Sequence, residues 1–268
     1  MLIAATVLLQ VASTSVAGER AAVDTDVAEF SFVRTGAGLT NHKEMFMVPL
    51  SWSENYDGEQ SEVIFQLSAK HRVFGSRFYL AYSQISFWQA YDKSNSSPFR
   101  DTNYNPEVFY RFAERRLGDG LLGMDAGFEH QSNGRLVGDS RSWNLLYAAP
   151  YWRSRNWLIY AKARYRIPES EKETPDSAVG DDNPDITEYL GYSDIHVVRT
   201  FRRGQQLRLL VRGYIGRSRG LIEATFSVPV PGDSASYFCL KASEGYGESL
   251  LDYNRSNTRV SLGIMFNR

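Results

Sequence analysis

The chain has 268 residues, a formal net charge of -1 and one cysteine, Cys239. A chain of this length can bury the core of one or two domains. Its nearly neutral charge argues against nucleic acid, or an anionic membrane surface, as a partner held by bulk electrostatics. The single cysteine excludes an intrachain disulfide and a thiolate metal cluster.

The N-terminus carries an apolar run over residues 1–17 that ends in the small-x-small triplet Ser15-Val16-Ala17. Such a triplet is typical of a signal peptidase site, although the basic residues that usually precede the apolar run are missing. We predict a signal peptide over 1–17 and an N-terminal segment over 18–39; a misassigned start codon and a buried N-terminal segment are the alternatives. Elsewhere no run of about 18 apolar residues predicts a transmembrane helix.

From residue 78 onward the chain repeatedly alternates apolar and polar residues with a period of two, as strands with one apolar face do. In NWLIYAKARYRI the odd positions from Trp157 to Ile167 are apolar, whereas the even positions include Lys162, Arg164 and Arg166. These segments approach the roughly 9–11 residues that a tilted membrane strand needs. In chain order they cover residues 78–88, 122–132, 157–167, 207–215 and 259–266.

Alternation alone does not tell which face of a strand lies outside. A soluble β-sandwich buries the apolar face, whereas a membrane barrel turns it toward lipid and keeps the charges in its lumen. The 16 Tyr and 15 Phe suit interfacial aromatic girdles. Long polar segments, 92–106 and 168–185, alternate with short turns such as Arg203-Gly204, as in barrels with long external loops. We predict an all-β antiparallel transmembrane barrel over 40–268, with a β-sandwich as the alternative.

Two predicted strands carry polar side chains on their apolar faces. Gln84 shares a face with Leu80 and Trp88, so in a barrel its amide would sit in lipid unless a partner or the headgroup region satisfies it. His130 and Ser132 end the strand over 122–132, on the face of its apolar residues. Their i, i+2 spacing can bring a general base beside a nucleophile at the lipid boundary. A His-x-Ser pair on a strand is, however, structural more often than catalytic.

Asn144 on the following segment could orient the imidazole of His130. In an antiparallel hairpin whose paired residue numbers sum to an even value, residue 130 pairs with residue 144 across a turn centred on Val137. An amide oxygen accepts the His N–H without a buried negative charge against hydrocarbon, but it stabilises an imidazolium less than a carboxylate does.

Five motifs resemble the outer membrane phospholipase A family of Gram-negative bacteria: SSPFRDTNYNPEVF, HQSNGR, SRSWN, DDNPDITEYLGY and GYGESLLDYN. The resemblance runs from about Phe78 to the C-terminus and extends more weakly back to about Leu50. It implies a twelve-stranded barrel in the outer membrane. It also implies a calcium-dependent hydrolase of the acyl esters of phospholipids and lysophospholipids, with A1 and A2 activity, that is active as a homodimer.

The resemblance also implies a role for individual residues. Ser132 would be the nucleophile, His130 the general base, Asn144 its orienting residue and the Gly134 N–H an oxyanion donor. The Ca²⁺ ligands would be the carbonyl of Arg135, the hydroxyl of Ser140 and Ser96 of the second subunit, and Gln84 would hydrogen-bond across the dimer. A ligand set without carboxylates predicts weak calcium binding, and ordinary loop capping is the alternative for both serines.

Other functions remain open at this point. A catalytically silent barrel acting as a pore or an adhesin would keep the alternation without needing the three polar residues on one outer face. A soluble β-rich esterase would keep the chemistry without inserting into a membrane. Glu129 departs from the family, in which Asn is frequent at this position, and we expect its side chain to point into the lumen with little effect on catalysis.

Overall fold

The computed structural model describes residues 27–36, 38–174, 176–213, 219–233 and 235–268. The predicted signal peptide over 1–17 lies outside these residues, as do 18–26 and 37 of the predicted N-terminal segment. The short helical turns are Ser31–Val33, Gly58–Gln60, Val73–Gly75 and the helix α1 (Ile186–Leu190). No helix among the described residues is both long and apolar enough to cross a membrane.

The described ranges contain fourteen strands. They are β1 (Leu39–Asn41), β2 (Met45–Ser53), β3 (Val63–Arg72), β4 (Phe78–Trp88), β5 (Phe99–Arg111), β6 (Arg115–Leu117), β7 (Gly120–Ser132), β8 (Ser142–Arg153), β9 (Trp157–Arg166), β10 (Ser193–Thr200), β11 (Gln206–Gly213), β12 (Gly220–Pro229), β13 (Tyr237–Gly245) and β14 (Asn257–Asn267).

Twelve of these strands close into an antiparallel barrel. Each long strand pairs with its neighbours along the chain, and the pairing of β14 with β2 completes the ring. The short strand β1 pairs with β3 beyond the end of β2, and β6 pairs with β7. Closure leaves no barrel strand with an unpaired edge, which a membrane requires. The prediction of an all-β antiparallel barrel with about 12 strands is confirmed.

The burial pattern shows which face of each strand lies outside. In β9 Trp157, Ile159 and Tyr165 are exposed, with Tyr165 61% accessible, whereas Lys162 on the other face is 6% accessible. In β14 Val260 and Leu262 are exposed and Arg259 is buried. A soluble sandwich would bury the apolar face, so this inside-out arrangement excludes it. Residues 214 and 215 of the predicted segment 207–215 lie outside the described residues.

Buried ion pairs line the lumen. Glu129 is fully buried and accepts hydrogen bonds from Lys162 (2.9 Å) and Arg164 (3.2 Å). Lys162 also reaches Glu107 at 3.1 Å, and Arg164 reaches Asp194 at 3.0 Å. Buried charges are tolerated when they are paired and hydrogen-bonded in this way. Glu129 therefore points into the lumen, as its place on the polar face of β7 predicts.

The N-terminal segment over residues 27–34 enters one end of the barrel. Phe30 and Phe32 are buried in an aromatic cluster with residues such as Tyr160. Lys70 donates hydrogen bonds to the carbonyls of Ser31 and Phe32, both at 2.8 Å. These contacts lie near the start of β9 and the end of β5, so the segment covers the end of the barrel opposite the last residues of β7.

The two ends of the barrel differ in their connections. The end at which β7 finishes carries the segments 89–98, 133–141, 167–192 and 246–256, whereas the other end has short turns such as 154–156 and 201–205. Long loops of a barrel are tied down by their own side chains and backbone, and they are where functional residues concentrate. The last residues of β7 therefore lie at the end of the barrel that carries the long loops.

Candidate active site

The hairpin of β7 and β8 brings His130 and Asn144 together. Its register pairs His130 with Asn144 and Ser132 with Ser142, so the paired numbers sum to an even value as predicted. The Nδ1 atom of His130 lies 2.9 Å from the Oδ1 atom of Asn144. Because an amide oxygen only accepts, this contact assigns the proton to Nδ1. It leaves Nε2 of a neutral ring free to accept a proton.

This pair lies on the outer wall of the barrel. The residues of β7 that share a face with His130 are exposed or half-buried, with Leu122 42% accessible, whereas Asp125 and Glu129 on the other face are buried. Ser132 follows two residues later and therefore shares the outer face with His130. A hydroxyl, an imidazole and an amide thus occupy one patch of the surface that meets lipid.

The Asn144 amide has a second partner, Glu169, which the motifs of the sequence did not indicate. The Nδ2 atom of Asn144 donates to Oε1 of Glu169 at 3.1 Å. The pairing of β8 with β9 continues one residue beyond β9, because the N–H of Ile167 donates to the carbonyl of Asn144 at 2.8 Å. Glu169 lies two residues further, on the same face. Extension of this register past Pro168 is the sequence signal that could have found it.

Asn133 fixes the loop that follows Ser132. Its side-chain oxygen accepts from the N–H of Arg141 at 2.9 Å, and its amide donates to the carbonyl of Asp139 at 2.9 Å. Its own N–H donates to the carbonyl of Arg141 at 3.0 Å. Because Asn133 is buried, these bonds hold the loop over 133–141 in one conformation.

Gly134 occupies a position that strongly favours glycine. Its φ angle is 62°, in the left-handed region, and a Cβ atom placed on it would lie 3.2 Å from a ring carbon of Tyr104. Tyr104 is also the β5 partner of Ser132. Gly134 and Ser132 therefore both lie beside Tyr104.

Ser140 and Arg135, the predicted calcium ligands, lie on this loop. The Ser140 hydroxyl donates to Oδ2 of Asp182 at 2.6 Å, and the other oxygen of Asp182 lies 2.5 Å from Nζ of Lys172. The ligand set predicted from the sequence contained no carboxylate, but the structure adds one beside Ser140. Among the described residues no three His, Cys, Asp or Glu side chains gather into a metal site, so a cation here would depend on carbonyl and hydroxyl oxygens as well.

Ser96 lies on the loop between β4 and β5. Its φ angle is 62°, and its N–H donates to the carbonyl of Lys93 at 3.3 Å. Hydrogen bonds from Asn95 and Ser94 hold the pKa of Asp92 in this loop below its ordinary value. Within the described residues no hydrogen bond joins Ser96 to Arg135 or Ser140.

Gln84 lies on the outer wall, beside the same strand β5. Its side-chain oxygen accepts from the hydroxyl of Tyr82 at 2.9 Å, and its amide donates to Oγ of Ser86 at 3.1 Å. Gln84 pairs with Tyr104, which in turn pairs with Ser132. A polar stripe therefore runs from β4 to the serine on β7.

Comparison with known proteins identifies the family. The sequence profile described as Phospholipase A1 matches residues 33–266. The chain belongs to the phospholipase A1 family. It is 36% identical over 225 residues to Phospholipase A1 of Salmonella typhimurium, covering 81% of this chain and 73% of the relative. Phospholipase A1 of Escherichia coli K12 is 36% identical over 224 residues, covering 81% and 72%.

Solved structures of this family share the fold. Outer membrane phospholipase A from Escherichia coli has a TM-score of 0.74 and 30% identity, covering 85% of this chain and 91% of that one. A calcium-bound dimer of the Salmonella typhi outer membrane phospholipase has a TM-score of 0.74 and 30% identity, covering 87% and 94%. An active-site mutant of the Escherichia coli enzyme replaces an asparagine with alanine. The resemblance stated from the sequence is confirmed, and the protein is an outer-membrane β-barrel of the phospholipase A1 family.

Proposed function

We propose that this phospholipase A1 family member hydrolyses acyl ester bonds of phospholipids at the outer wall of its barrel, using Ser132, His130 and Asn144. The observation that carries the proposal is the 2.9 Å contact between His130 and Asn144 on the lipid-facing side, on the same face of β7 as Ser132. A pore or an adhesin would not need this arrangement. The ion pairs in the lumen and the N-terminal segment at one end further disfavour a pore.

The residues can divide the reaction between them. The Nε2 atom of His130 takes the Ser132 proton as the hydroxyl attacks the ester carbonyl, while Asn144 holds Nδ1–H and orients the ring. The N–H of Gly134 is the oxyanion donor, a role for which its enforced backbone conformation suits it. His130 then returns the proton to the leaving alcohol, and water hydrolyses the acyl-enzyme. Fatty acid and lysophospholipid are the products.

The oxygen atoms on the loop after Ser132 fit a calcium ion. The Arg135 carbonyl and the Ser140 hydroxyl are donors of the type that this hard cation prefers, and the Asp182 carboxylate lies 2.6 Å from that hydroxyl. A bound calcium ion would supply positive charge that stabilises the oxyanion. Ser96 of a second subunit would complete the ligand set. The calcium-bound dimer of the Salmonella typhi relative supports this part of the proposal.

Dimerisation would use the stripe that contains Gln84. Its amide already bonds to Tyr82 and Ser86 within one subunit, and a hydrogen bond to a second copy is worth roughly 1 kcal/mol in a membrane. Because the stripe continues through Tyr104 to Ser132, a second subunit seated there would also border the nucleophile. The acyl chains of the substrate could then lie in the groove between the two subunits. We expect A2 and lysophospholipase activities if this groove also accepts the second ester bond of a phospholipid and lipids with one acyl chain.

A serine substitution tests the proposed function. We expect Ser132→Ala to abolish calcium-dependent release of fatty acid from phospholipid in detergent, because the variant lacks the hydroxyl proposed as the nucleophile. Ser76→Ala, in an exposed turn at the opposite end of the barrel, is the matched control and should retain activity. Faster gel migration without heating verifies that both variants are folded barrels. Undiminished hydrolysis by folded Ser132→Ala would refute the nucleophile assignment.

A further inference from the structure

Glu169 extends the line of hydrogen bonds behind His130. Its Oε1 atom accepts from Nδ2 of Asn144 at 3.1 Å, and Oδ1 of the same amide lies 2.9 Å from Nδ1 of His130. Glu169, Asn144 and His130 are therefore connected end to end, and Ser132 lies two residues after His130 on the same face of β7. The reaction proposed for Ser132, His130 and Asn144 does not use Glu169.

The protein holds Glu169 in this place from both sides. Ile167 is tied to Asn144 by a 2.8 Å backbone hydrogen bond, and Pro168 fixes the backbone φ angle immediately before Glu169. On the other side, the carbonyl of Ser170 accepts from the N–H of Asp181 at 2.8 Å. Glu169 is half-buried, whereas Glu171 and Glu173, which follow it directly in the same loop, are exposed. Its carboxylate is therefore part of an ordered structure.

A carboxylate at this position gives the amide a single orientation. Asn144 rotated by half a turn would present its NH₂ group to Nδ1 of His130, and the ring would then have to carry its proton on Nε2. That tautomer cannot accept the proton of Ser132. A carboxylate only accepts hydrogen bonds, so Glu169 favours the orientation in which NH₂ faces it and the amide oxygen faces His130.

Glu169 also supplies the negative charge that an asparagine lacks. The carboxylate polarises the amide, and hydrogen bonds in such a chain strengthen one another. An imidazolium formed at His130 during the reaction is then stabilised through Asn144. The formal charge remains at the edge of the loop, away from the hydrocarbon that the outer wall meets.

We propose that Glu169 is a positioning residue of the hydrolysis, acting through Asn144 to set the tautomer of His130 and to stabilise its protonated form. The inference rests on the proposed function. Tyr165, Arg166, Asp181 and Tyr192 line the same cleft as Glu169, and Arg166 forms a 2.6 Å ion pair with Asp181. Tyr104 of β5 lies beside Ser132 on the outer wall. The charged groups on the lumen side of the same strands are Glu129, Lys162 and Arg164.

Glu169→Gln, with Glu171→Gln as the matched control, tests this role. Both changes remove one negative charge from the same loop, but Glu171 is exposed. We expect Glu169→Gln to lower kcat by roughly 10-fold with little change in KM, in the range seen when a hydrogen-bond partner behind a functional histidine is removed. The acid limb of its pH–rate profile should move to lower pH, because an imidazolium without the carboxylate forms only in stronger acid. Glu171→Gln should match the parent protein in both respects.

In the Asn144→Asp background, Glu169→Gln should have the opposite effect on kcat. In Asn144→Asp the side chain no longer has an NH₂ group for Glu169, and two carboxylates face each other. Adding Glu169→Gln to Asn144→Asp should therefore raise kcat, whereas the same change lowers it in the parent protein. A residue that only supports the loop would lower activity in both backgrounds.

The outcomes separate this inference from the proposed function. Activity in folded Ser132→Ala would overturn the proposed function, and the role of Glu169 with it. Inactive Ser132→Ala together with an unshifted pH profile in Glu169→Gln, or a fall in kcat on adding Glu169→Gln to Asn144→Asp, would overturn the role of Glu169 alone. Glu169→Leu, which removes the acceptor entirely, should lose more activity than Glu169→Gln, and an equal or smaller loss would also contradict the role.

Discussion

Gly134 lies two residues after the proposed nucleophile and is glycine for two separate reasons. Its φ angle of 62° disfavours a side chain, and the ring of Tyr104 leaves little room for a Cβ atom. Both features concern the peptide whose N–H we propose as the oxyanion donor. We therefore expect a side chain at this position to disturb the proposed reaction as well as the turn.

Gly134→Ala should reduce kcat at least about 100-fold, the effect of losing one oxyanion donor. Gly138→Ala is the matched control, since Gly138 lies in the same loop with a φ angle of 98° but has open space where a Cβ atom would lie. Steady-state hydrolysis of a phospholipid in detergent measures both variants. Similar activities in the two would show that the Gly134 peptide does not contribute specifically to the reaction.

The contact of His130 with Asn144 could be predicted from the sequence because the numbers of paired residues in an antiparallel hairpin have a constant sum. Once the hairpin register is set, the faces of His130, Ser132 and Asn144 follow, and the structure has that register. Glu169 and Asp182 were missed because they lie in the polar segment 168–185. Only the register of β9 extended past Pro168 indicates Glu169, and no periodicity indicates that Asp182 turns back toward the barrel. Their contacts depend on how this loop folds over β8 and the loop after β7.

The proposed calcium site combines residues from two of the long loops. Ser140 comes from the loop after β7 and Asp182 from the loop after β9, and the 2.6 Å hydrogen bond between them joins these loops. The carboxylate that accepts from the hydroxyl thus comes from the second loop, whereas Asp139, next to Ser140 in the first loop, pairs with Arg135. Calcium affinity should therefore depend on the second loop even though the predicted ligands are on the first.

Asp182→Asn should raise the calcium concentration needed for half-maximal activity by about 10-fold, because fewer anionic oxygens near a site weaken calcium binding. Asp176→Asn removes the same charge from an exposed position of the same loop and serves as the control. Calcium titrations of lipid hydrolysis provide the measurement. Coincident titration curves for Asp182→Asn and the control would exclude Asp182 from the calcium site.

The barrel strands could be predicted because apolar and polar residues alternate along each strand and polar turn residues separate one strand from the next. Residues 157–167 and 259–266 show the predicted exposure, and the burial of Arg259 inside the barrel follows from it. The N-terminal segment was not predictable in this way. Its burial depends on Lys70 and Arg111 of the barrel wall, which donate to its carbonyl groups from residues distant in sequence.

At the scale of the whole molecule, charged networks hold the barrel from within. Lys162 of β9 donates hydrogen bonds to both Glu129 of β7 and Glu107 of β5, so these three strands are joined across the lumen. The residues of β7 thus have two tasks on two faces: those facing outward carry the proposed chemistry, and those facing inward fix the wall behind it. Stability and activity should respond to different substitutions.

Glu129→Gln should destabilise the folded barrel by roughly 1.5–3 kcal/mol, the cost of losing hydrogen bonds between charged groups. Lys162 keeps Glu107 as a partner, so the variant should still fold and hydrolyse lipid at a nearly unchanged rate at about 25 °C. Glu173→Gln, at an exposed loop position, is the control. The temperature at which the faster-migrating folded form disappears measures the effect. An unchanged temperature, or a large loss of activity at about 25 °C, would contradict this separation of the two faces.

Covalent labelling tests most directly whether lipid is attacked at the outer wall of the barrel. A long-chain alkyl sulfonyl fluoride, presented in detergent with calcium, should modify Ser132 and abolish hydrolysis, and mass spectrometry of the digested protein locates the label. We expect the label on Ser132, at most one per chain, and none in His130→Ala because the hydroxyl is then not activated. Inactivation with the label on another residue, or full activity after complete labelling of Ser132, would contradict the account.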